Sequence, residues 1–69
     1  MDEIEVLVND LYEMVKQLKD EGMDTVTITI LPEDDNDGDR IPPSLSFVAS
    51  TFAEPFMGID YENVFAYEP

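Results

Sequence analysis

The sequence contains no cysteine, histidine or tryptophan, and its only basic residues are Lys16, Lys19 and Arg40. Each absence removes a class of chemistry. Without cysteine there is no disulfide, which suits a reducing compartment. Without cysteine or histidine, a structural zinc ion lacks its usual ligands. No side chain has an ordinary pKa near neutrality. Ser44, Ser46 and Ser50 therefore have no imidazole to activate them as nucleophiles. Paired carboxylates are plentiful, but glycoside hydrolysis needs a pocket that holds two of them at a defined separation, and a chain this short has little room for one. Gly22, Gly38 and Gly58 stand apart and make no phosphate-binding loop. These absences predict a noncatalytic protein without a cofactor.

The shortage of cations bears on partners. Seventeen acidic residues against three basic ones leave a formal net charge of −14. Nucleic-acid binding rests on Lys and Arg neutralising phosphates, so direct contact with DNA or RNA is not expected. An anionic membrane surface would repel the chain, and no apolar run approaches the roughly 18 residues of a membrane span. The opening Met1-Asp2-Glu3 lacks the basic region of a signal peptide, which predicts a cytoplasmic protein. The expected partner is another protein, either basic or offering an apolar contact, and a second copy of the chain is a candidate.

What is present points to a folded domain. The chain has 69 residues, 43% of them hydrophobic, enough for one domain spanning 1–69. Acidic disordered tails are poor in aromatic and β-branched residues, and this chain is rich in both. A core of this size leaves a slim margin over conformational entropy, which dimerisation would widen.

Residues 3–20 predict an amphipathic helix, with Ile4, Leu7, Val8, Leu11, Met14 or Val15, and Leu18 on one stripe. Asp2 would cap it and Glu5 would complete a capping box. Gly22 predicts the stop, with Met23 and Leu18 placed to touch in a Schellman motif. Thr25 to Leu31 alternates as a strand, its Val26, Ile28 and Ile30 row expected under the helix and its threonines facing solvent or a partner. Pro32 ends that strand. Residues 44–50 read as a second strand, antiparallel to the first, with Leu45, Phe47 and Ala49 on one side. Residues 60–67 admit two readings: a helical turn capped by Asp60, or a third, edge strand, which the aromatic and β-branched content favours. The expected fold class is α+β, one N-terminal amphipathic helix packed on a small antiparallel sheet of two or three strands.

Three surface features carry the functional expectations. The connection between the strands holds Glu33, Asp34, Asp35, Asp37 and Asp39, with Asp37-Gly38 as a turn pair. Glu33, Asp35, Asp37 and Gly38 loosely resemble positions 1, 3, 5 and 6 of an EF-hand calcium loop. Ser44 stands where the bidentate Glu belongs, however, and Pro42-Pro43 interrupt the rest, so at most weak calcium binding is expected. A second feature is the helix face bearing Asp10, Glu13 and Asp20. Together with the acidic loop it could imitate a phosphate backbone and occupy the basic groove of a nuclease or a DNA- or RNA-binding protein, in the manner of phage-type inhibitors. The third is the aromatic last third: Phe52, Phe56, Tyr61, Phe65 and Tyr67. Most of these are expected in the core, with a contact surface built from Met57, Tyr61 and Tyr67 as the alternative. The leading reading is a noncatalytic acidic interaction or adaptor protein.

Overall fold

The computed structural model describes residues 2–36 and 38–69. A single helix, α1 (Val8–Asp20), precedes β1 (Thr25–Leu31), β2 (Asp34–Asn36), β3 (Asp39–Ile41), β4 (Ser44–Ser50), β5 (Ile59–Asp60) and β6 (Val64–Phe65). β1 and β4 pair antiparallel along their whole length, from Thr25 opposite Ser50 to Leu31 opposite Ser44. β5 and β6 both pair antiparallel with β4 as well. The predicted class is the observed one: an N-terminal helix against a small antiparallel sheet.

β4 is the central strand, paired with β1 along one edge and with β5 and β6 along the other. Leu45, Phe47 and Ala49 are buried, the last two almost completely. Met14 and Leu18 of α1 and Val64 of β6 join them. Ile4, Val6, Leu11, Met23, Ile30 and Tyr61 pack around that cluster.

The end of α1 follows from Gly22. Its φ of +79° lies in the left-handed region that a Cβ penalises. The Met23 amide donates to the Leu18 carbonyl at 3.0 Å and the Gly22 amide to the Lys19 carbonyl at 3.1 Å. These are the two bonds of a Schellman motif; Leu18 lies in the core and Met23 packs against it.

The start of α1 corrects the sequence reading. Residues 2–7 lie outside the helix, which begins at Val8 with Leu7, itself extended, at the N-cap and no side-chain cap. The Asp2–Glu5 capping box is therefore not formed. Glu3-Ile4-Glu5-Val6 also alternates with period two, which fits an extended path as well as a helix. The tertiary structure favours the extended form: Ile4 and Val6 reach the core while the Glu5 carbonyl accepts the Tyr67 amide at 2.8 Å.

Three further corrections concern which apolar residues are covered. The apolar row of β1 is covered only at one end: Ile30 packs against the core, whereas Val26 is 37% exposed and Ile28 51%. The helix stripe is correspondingly narrower than predicted, with Leu7, Val8 and Val15 exposed and Leu11, Met14 and Leu18 turned inward. The late aromatics are mostly outside the core: Phe52, Phe56, Phe65 and Tyr67 are exposed and Tyr61 is half-buried.

The third lane of the sheet is interrupted. Val48 faces Asp60 and Leu45 faces Val64, so Tyr61, Glu62 and Asn63 span the interval that Ser46 and Phe47 span on β4. One extra residue against a continuous partner is a β-bulge. Residues 60–67 thus follow the strand alternative, split in two. Gly58 enters this lane so close to β4 that a Cβ there would stand 2.8 Å from Val48 Cγ1. The acidic connection also holds more structure than a loop. β2 and β3 form a separate antiparallel hairpin with Asp35 opposite Arg40, and Gly38 takes a φ of +84° at its turn.

Candidate interaction surface

The candidate acids fall into two groups with different surroundings. The hairpin carries Asp34, Asp35 and Asp39, all exposed, while Asp37 lies outside the described residues. Glu33 is held by Arg40, whose Nε donates to its Oε1 at 2.5 Å. The same guanidinium grips Glu68 with both terminal nitrogens, at 2.9 and 2.5 Å. A planar guanidinium matches a carboxylate in this two-pronged way. The bonds to Glu68 and then Glu33 hold Arg40 more firmly protonated than usual, and those from Arg40 hold the Glu68 carboxyl below the usual carboxylate range. Arg40 therefore ties the hairpin to the C-terminal segment. Among the described residues, no group of three or more acids is gathered as a metal site would require.

The second group lies on α1. Asp10, Glu13 and Gln17 share one flank, as residues three and four apart do. With Met14 they form one wall of a cleft of about 290 Å³, and Glu62, Asn63, Val64 and Phe65 form the other. The floor residues Met14 and Val64 belong to the core, so the cleft is apolar beneath and carboxylate-rimmed above. No Lys or Arg lines it. Of the helix acids predicted together, Asp10 and Glu13 meet here, whereas Asp20 ends the helix and is not among the lining residues. Glu62 escapes sequence reasoning because only the bulge between β5 and β6 brings it opposite α1. A second cleft, of about 420 Å³, lies between the sheet and the hairpin and is lined by Leu31, Pro32, Ile41, Pro42 and Phe65 among others.

Met57, Tyr61 and Tyr67 have partners in different parts of the fold. The Tyr61 hydroxyl donates to Glu21 Oε1 at 2.9 Å, just past α1. Burial, and then this bond, push the phenol pKa above its usual value. Tyr67 meets Glu5 through its backbone, and the Met57 amide donates to the Glu54 carbonyl within the turn before β5. Met57 and Tyr67 are exposed.

The flank of α1 opposite the cleft differs in kind. Val8, Tyr12, Val15 and Lys19 recur there at intervals of four, three and four residues, and Val8, Tyr12 and Val15 are all at least half exposed. No helix among the described residues is long and apolar enough to cross a membrane. No family model, curated protein or solved structure matches this chain.

Proposed function

We propose that this chain is a noncatalytic protein-binding module that takes a basic side chain of its partner into the cleft between α1 and residues 62–65. One observation carries the reading: Asp10, Glu13 and Glu62 line a cleft whose buried residues are the apolar Met14 and Val64, with no cation on the lining. Lys and Arg have the matching build, an aliphatic stem that lies on apolar surface and a charged head that stays at the rim. The net charge of −14 would steer such a partner toward the molecule over a distance set by ionic strength. The absence of histidine and cysteine supports the noncatalytic part of the reading.

The test is an NMR titration with an arginine-rich hexapeptide. Amide shifts are expected at Asp10, Glu13, Met14 and residues 62–65. They should shrink as salt rises, and they should be lost in Glu13→Gln/Glu62→Gln. Shifts confined to residues 33–41 would refute the cleft and assign recognition to the hairpin acids instead. Shifts spread evenly over the surface would leave only diffuse charge attraction and refute it as well.

A further inference from the structure

β1 is an edge strand with none of the features that usually protect an edge. Natural edges are blunted by charges, prolines, bulges or short length. β1 runs seven residues, Thr-Val-Thr-Ile-Thr-Ile-Leu, in unbroken register with β4, and contains no charge and no proline.

Which backbone groups stand on the open edge follows from β4. The carbonyls of Pro43 and Phe47 accept from Ala66 and Tyr61 on one side of that strand, while the carbonyl of Ser50 accepts from Asp24 on the other. Odd-numbered residues of β4 thus turn their backbone toward β5 and β6, and even-numbered ones toward β1. Thr25, Thr27 and Thr29 stand opposite Ser50, Val48 and Ser46, so they spend their backbone groups on β4. Val26, Ile28 and Ile30 turn theirs outward, because successive residues of a strand alternate.

The edge itself carries no acid in a chain that has seventeen, with Asp24 and Glu33 just beyond its two ends. No carboxylate occurs in residues 25–31. The flank of α1 turned away from residues 62–65, and so toward the β1 side, carries Val8, Tyr12, Val15 and Lys19. Lys19 is in no ion pair among the described residues. A basic partner would find no carboxylate here, so the proposed cleft ligand does not suit this face.

The surface is also larger than the chain's mass warrants. Folded monomers of 7.8 kDa expose about 4,400 Å² by the usual scaling. This chain exposes 5343 Å². The excess, about 1,000 Å², is near the roughly 800 Å² that each partner contributes to a standard interface.

We propose that the β1 edge is a self-association site at which a second copy of this chain pairs antiparallel about a two-fold axis through Ile28. In that register Ile28 meets its own mate and Val26 meets Ile30, so three pairs of outward backbone groups exchange six hydrogen bonds. Side chains directly opposite in an antiparallel pair share a face. The apolar row of one copy therefore continues into that of the other, with both helices over the same side. Asp24 and Glu33 lie outside the paired segment, and no like charges stand opposite each other. The contact is isologous, so it closes at two copies. Because each copy carries a net charge of −14, salt must strengthen the dimer by screening, whereas it weakens any complex with a basic partner. The inference stands independently of the proposed cleft.

Sedimentation equilibrium and amide hydrogen exchange test it together. The full chain should dimerise, and the association should tighten from about 0.05 M to about 0.5 M salt. The amides of Val26, Ile28 and Ile30 should be protected at high protein concentration and lose that protection on dilution. Ile28→Lys, which sets two cations face to face, should weaken association about tenfold or more. Ile28→Pro removes a donor that the single copy leaves unpaired, and it should do the same without loss of far-ultraviolet ellipticity. Phe56→Ser, at a residue 99% exposed in the turn before β5, should leave association unchanged. A chain that stays monomeric up to about 1 mM at high salt would overturn the proposal. So would a dimer in which those three amides exchange freely, or one broken by Phe56→Ser and not by Ile28→Lys.

Discussion

Gly58 offers a sharp test of the packing, because its role depends on a neighbour ten residues away in sequence. A Cβ on Gly58 would stand 2.8 Å from Val48 Cγ1, against about 3.5–4.0 Å for carbon atoms at optimal separation. The overlap is about 1 Å, and the valine cannot easily yield. Its branched Cβ restricts χ1, and Val48 is half-buried in the central strand. Overpacking of this kind costs about 1–3 kcal/mol. Against it stands the loss of glycine's freedom in the unfolded chain, which favours alanine by about 0.4–1 kcal/mol. The expected net effect of Gly58→Ala is a destabilisation of about 1–2 kcal/mol. For a domain of this size each kcal/mol lowers the midpoint by about 4–8 °C. Val48→Ala removes the offending methyl group. In that background Gly58→Ala should become neutral or stabilising by up to about 1 kcal/mol. The double-mutant cycle is best measured by urea denaturation at one fixed protein concentration, so that self-association does not enter the comparison. Additive effects within about 0.5 kcal/mol would show that β5 does not approach β4 as described.

Two further perturbations address other links in the chain of causes. Gly22→Ala forces a side chain into the left-handed region and should cost about 1 kcal/mol by thermal unfolding, with Gly22→Asn milder; a neutral alanine would argue against the Schellman end of α1. Glu68→Gln should leave the global midpoint nearly unchanged while speeding amide exchange in β3, because Arg40 then loses its charged partner. The pH dependence has a defined sign. Glu68 titrates below its ordinary value in the folded protein, so its contribution is present above the usual carboxylate range and is lost as pH falls through the depressed folded value. Exchange in β3 that does not rise over that acidic interval would refute the tie.

Gly22, Thr25–Leu31 and Ser44–Ser50 were legible in the sequence because each signal is local. A left-handed backbone position selects glycine, and a period of two marks a strand whatever lies beside it. The α+β class follows from the order of those elements. The acidic cleft was legible only in part: Asp10 and Glu13 share a helix flank by spacing alone, whereas Glu62 reaches them through a bulge that no local pattern announces. The start of α1 was not legible, because Glu3-Ile4-Glu5-Val6 satisfies both periods. The extended form was selected by burial of Ile4 and Val6 and by the bond from Tyr67 to Glu5. The same holds for exposure. Val26 and Ile28 carry the pattern of an inward row, yet whether a row is covered depends on how far a helix reaches across the sheet. The sequence alone determined where α1 ends, where the two long strands lie and that the chain is strongly acidic. The tertiary structure decided which apolar rows are covered and which stay open on the β1 edge, because coverage is a competition among distant segments for one small core.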